Sequence, residues 1–130
     1  MISEYVLREE QSMKKSLLAV IVALGLAAAL SGQSDQKING WLVDSVCAGH
    51  HATEPGYAAN HDKKCNLMDV CVKSGYSVIT ADQKVYKLDQ KGAEQALALL
   101  KATDIDKDWK VVVTGTVDGQ NIAVTSIALQ

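Results

Sequence analysis

Apolar positions along the chain fall into three kinds of pattern. The first is the unbroken run 17–30 (LLAVIVALGLAAAL), which carries no charge and no strongly polar group. The second is short β-rich runs. Ile38, Trp41 and Val43 mark a strand over 38–45, with Gly40 as a bend or bulge. Residues 76–81 and 84–89 are two such runs separated by Asp82-Gln83, and they pair as a hairpin. Residues 109–117 alternate, Asp118-Gly119 signals a tight turn, and 122–129 return as the partner strand. The third is helical periodicity. Leu67, Met68, Cys71 and Val72 share one face of a helix expected over 62–74, with Gly75 as its stop. Ala93, Ala96, Leu97 and Leu100 form the stripe of a second helix over 92–103, with Asp89 near its N-cap.

Two stretches have no periodicity. Residues 33–37 are polar and read as a disordered lead-in. Residues 46–61 hold Gly49, the only proline (Pro55) and Gly56, and read as irregular. The expected order is strand, insert, strand, strand, helix, strand, strand. That predicts a mainly β, α+β domain: a small five-stranded OB-like barrel with one helix between strands 3 and 4 and a Cys/His-bearing insert after strand 1. An open α+β sheet with two packed helices is the alternative.

The run 17–30 would span roughly 21 Å as a helix, short of the ~30 Å of a bilayer core. Lys14 and Lys15 precede it, and Ala29, Ser31 and Gly32 follow. Residues 1–32 are therefore expected to be a cleaved signal peptide, with an uncleaved anchor as the alternative. Glu4, Glu9 and Glu10 are unusual before such a run, and Met13-Lys14-Lys15 is the more ordinary start. The remaining single domain, 33–130, is expected in the periplasm or outside the cell. The membrane enters only through the signal peptide.

That domain has 10 Lys against 12 Asp and Glu, a net of −2. No basic stripe appears, so there is no strong nucleic-acid signal. Partner and oligomeric state are left open. A domain this small gains from a disulfide or a metal, which draws notice to its three cysteines.

All three cysteines and all three histidines lie between 47 and 71: Cys47, His50, His51, His61, Cys65 and Cys71. Cys47 with His50 or His51, and His61 with Cys65, have spacings that let two ligands reach one point. Thiolate and imidazole suit zinc or copper. A disulfide from Cys47 to Cys65 or Cys71 is the plainer alternative, contributing roughly 3 kcal/mol. An odd thiol would then be left over. Thiol redox chemistry is the third reading, weakened by the lack of a Cys-x-x-Cys motif. Asp44 either ends a strand and caps a turn or orients a ligand histidine.

Trp41, Tyr76, Tyr86 and Trp109 either form core or line a stacking face for bases or sugars. Asp104, Asp106 and Asp108 lack the glycine and distal glutamate of a calcium loop. No phosphate loop, nucleophile elbow or H-E-x-x-H motif occurs, and no catalytic residue is expected.

Four segments carry a resemblance: GWLVDSVC (40–47), Cys65 with Cys71, KVYKLD (84–89) and VVVTGTVDG (111–119). Together they resemble a group of small exported bacterial proteins with an OB-like domain. The likeness covers nearly the whole of 33–130, though the five-residue gap between Cys65 and Cys71 is longer than the group's. It implies fold and export, and it brings no activity with it.

Overall fold

The computed structural model of the chain describes residues 34–130. The signal-peptide reading of 1–32 lies outside them. The described elements are β1 (Gln36–Asp44), α1 (Ser45–His51), α2 (Tyr57–Asn60), α3 (Lys63–Asn66), α4 (Asp69–Ser74), β2 (Tyr76–Ile79), β3 (Val85–Leu88), α5 (Gln90–Ala102), β4 (Lys110–Asp118) and β5 (Asn121–Leu129). The architecture is α+β: five strands in a mixed sheet, with helices against it.

Each strand has two neighbours, and the sheet closes on itself in the order β1-β2-β3-β5-β4. Only β3 and β5 run parallel, at Lys87–Asn121 and Leu88–Ile122. β1 serves two partners: its first half pairs with β4 and its second half with β2. Gly40 sits at the crossover. A Cβ there would come within 2.5 Å of the Ile79 carbonyl oxygen, so only glycine lets the strands approach this closely.

Alternation built these strands. Val111, Val113 and Gly115 of β4 point inward, and Ile122 and Val124 of β5 meet them. The core is Leu42, Tyr76, Val78, Leu88, Ala96, Leu100, Trp109, Val111, Val113, Ile122 and Val124. Of the four aromatics read as either core or stacking face, Tyr76 and Trp109 are core residues. α5 starts where Asp89 accepts a hydrogen bond from the Gly92 amide at 2.9 Å, and it lays Ala96 and Leu100 on the sheet.

Three local expectations are corrected. Residues 36 and 37 belong to β1, because β4 supplies partners for them in Gly115 and Thr114. The stretch 46–61 is largely helical rather than irregular. Asp44 caps α1 by accepting from the Cys47 amide, and the turn formers act only at 52–56, between α1 and α2. The helix expected over 62–74 is two helices, α3 and α4, broken at Leu67 and Met68. The break is set by Asn66, which is fully buried and bonds the β1 backbone rather than solvent.

Candidate metal centre

The insert between β1 and β2 folds back so that its helices meet the end of β1. Asp44 is the last residue of that strand and is fully buried. Its amide donates to the Asn66 side-chain oxygen at 2.9 Å, and the Asn66 amide nitrogen donates to the Leu42 carbonyl at 3.3 Å. Tyr76 donates to the Asn66 carbonyl at 2.7 Å. These contacts bind α3 to β1 and hold Asp44 at a set depth.

Cys47 follows three residues later, where a helix presents its N3 position, and Cys71 comes from α4 across the gap. One carboxylate oxygen of Asp44 and the sulfurs of Cys47 and Cys71 all lie within 4.8 Å of one another. Cys71 and Asp44 are buried and Cys47 is partly exposed. This trio is able to hold a metal ion. Carboxylate and thiolate are both ordinary ligands for one, and about 4 Å is the separation two sulfurs adopt around a tetrahedral ion at 2.3 Å.

His61 stands behind the carboxylate. Its Nε2 is 2.8 Å from Asp44 Oδ2, with both side chains buried. Asp44 Oδ1 takes the Cys47 amide at 3.0 Å. Both oxygens therefore have protein donors. Asp44 ends the strand and caps α1, as the first alternative had it, and it also bonds His61. Burial pushes its carboxyl up, but the His61 hydrogen bond, the Cys47 amide and the His61 charge outweigh burial and leave it below the usual value.

All three thiols are pushed upward. Burial and then the Asp44 charge raise Cys71 to about 12. Burial raises Cys47, with a hydrogen bond from Tyr57 partly opposing and the Asp44 charge adding. The Asp62 hydrogen bond is the main cause for Cys65. This is the opposite of the shift that activates a redox thiol. A bound cation would reverse it, because ligating thiols lose their protons.

Of the six residues singled out by sequence, the structure brings Cys47 and Cys71 together and sets His61 one hydrogen bond away. Cys65 is half-buried beside Asp62, outside the trio but near enough to feel the charges of Cys47 and Asp44. His51 turns outward to Glu54 at 2.7 Å and stacks on Tyr57 at 4.5 Å. His50 is exposed. All three cysteines are free thiols. Sequence reasoning gave Asp44 a supporting part and missed its place beside the two sulfurs, although its position three residues before Cys47 was the available signal. Asn66 and Tyr57 carried no signal at all.

Two of the three loop aspartates make structural contacts. Asp108 accepts from the Trp41 indole at 2.7 Å, and the Asp106 carbonyl takes the Lys63 amide at 2.7 Å. No protein family, no curated protein and no solved structure matches the chain.

Proposed function

We propose that the chain is an exported, non-enzymatic OB-type domain whose insert binds a transition metal, zinc or copper, through Asp44, Cys47 and Cys71. The carrying observation is the trio itself, with three ligand atoms within 4.8 Å and two of the three residues buried. His61 acts as the outer partner that orients the carboxylate, a common support for a ligand. Thiolates favour zinc and copper over magnesium or calcium. The OB-type reading draws support from the strand order and from α5 lying between β3 and β4. Export draws support from the apolar run 17–30 and the small residues after it.

The rival is an OB-type binding module for a protein, glycan or nucleic acid, its cysteines bridged for stability. Nearness of the Cys47 and Cys71 sulfurs favours it as well. Metal analysis of the reduced, exported chain separates the two. One zinc or copper per chain is expected, lost in Cys47→Ser and Cys71→Ser and kept in His50→Ala. A reduced chain that takes up neither zinc nor copper would favour the rival.

A further inference from the structure

We propose that Cys47 and Cys71 are a two-state pair: as thiolates they hold the metal, and as a disulfide they release it. This rests on the metal reading above. Three observations lead to it. The two sulfurs are already within 4.8 Å, so a bond of about 2 Å needs a closure of less than ~3 Å. They come from different helices, α1 and α4, which are short and in contact, so closure is a small shift of one turn rather than a rebuilding of the sheet. Third, metal loss orphans nothing. Asp44 keeps the Cys47 amide on one oxygen and His61 on the other, and no buried side-chain polar atom lacks a partner among the described residues. A site whose remaining ligand is already satisfied by the protein has a stable empty state, which reversible release requires.

Exposure sets the order of events. Cys47 is partly exposed and Cys71 is buried. A small-molecule or protein disulfide, RS–SR, is attacked by the Cys47 thiolate. The Cys47–SR bond forms, RS–SR breaks, and one RS⁻ leaves. The Cys71 thiolate then attacks the Cys47 sulfur and expels the second RS⁻. Two protein thiolates are oxidised, one external disulfide is reduced to two thiols, and the cation departs because two of its three ligands are gone. Cys65, held by Asp62 outside the trio, takes no part.

The test uses the whole exported chain, reduced and loaded with zinc, titrated with glutathione disulfide. Zinc release is followed with a chromogenic indicator, and peptide mass mapping locates the bridge. One zinc freed per Cys47–Cys71 bridge is expected, with uptake restored by a dithiol reductant and the same behaviour in Cys65→Ser. A bridge that maps to Cys65, or a bridged chain that retains its zinc, overturns the switch while leaving the metal reading standing. A reduced chain that takes up neither zinc nor copper overturns the metal reading, and the switch falls with it.

Discussion

Asp44 meets three groups at once: the Cys47 amide, the His61 imidazole and the sulfur pair. Its carboxyl is held below the ordinary 3.8 in the folded chain, and so is that of Asp62, chiefly through the Cys65 amide. A depressed carboxyl stabilises the fold at pH above its unfolded value, and that contribution is lost as pH falls through the folded value. Metal-free protein should therefore lose stability as pH drops below about 3.8. Urea midpoints of Asp44→Asn should depend less on pH over that window. An unchanged acid slope in the variant would refute the assignment. Cys71 and Tyr76 have the opposite linkage. Burial first, then the Asp44 charge, raises each to about 12, from 9.0 and 10.0. Both groups stay protonated longer in the folded chain, so they stabilise it below pH 9 and the effect fades as pH rises toward 12. Alkaline denaturation followed by circular dichroism should begin above pH 9, and Cys71→Ala should shift its onset upward relative to that variant's own neutral-pH stability.

At the scale of elements, caps decide where helices begin and end. Asp89 caps α5 through the Gly92 amide. Asp89→Ala should cost about 1 kcal/mol, roughly 4–8 °C in Tm for a domain of this size. Gly75 ends α4 with φ 79° and ψ −171°, a region open in practice to glycine alone. A Cβ there would meet only the Ser45 hydroxyl, at 3.9 Å, so space is not the constraint. Gly75→Ala should cost ~1–3 kcal/mol through backbone strain, read as a lower urea midpoint with an unchanged slope. The two expectations differ in kind. Asp89 and Gly75 were both legible as punctuation in the sequence. The break between α3 and α4 was not, because Leu67 and Met68 continue the helical pattern and the interruption comes from Asn66 reaching β1, 22 residues earlier in the chain. The helix α1 was hidden for a related reason. Its cap, Asp44, belongs to a strand, and a glycine stands inside it.

For the whole molecule, the closed sheet and the insert act as separate parts of one unit. The insert hangs from the end of β1 and the start of β2 and returns to the sheet through Asn66 and Tyr76. A metal that binds the folded trio and not the unfolded chain adds stability by mass action, about 2.7 kcal/mol at a hundredfold excess over its Kd. Zinc should therefore raise the Tm of the reduced protein, with the rise absent in the Cys47→Ser, Cys71→Ser double variant. Equal shifts in both proteins would place the binding elsewhere. Among the described residues no helix is long and apolar enough to cross a membrane.

Strand number, the hairpins, α5 and its cap, and the concentration of sulfur and imidazole in one segment could all be read from the chain. Each depends on neighbours in sequence or on the period of a single element. The arrangement of those side chains could not. Which cysteine faces Cys47, which histidine meets Asp44, and that a buried aspartate stands among the sulfurs depend on how the insert folds back against β1. The contacts of His61 and Cys71 with Asp44 and Cys47 join residues 17 to 27 positions apart, beyond the reach of any local pattern, and only packing in three dimensions selects among them.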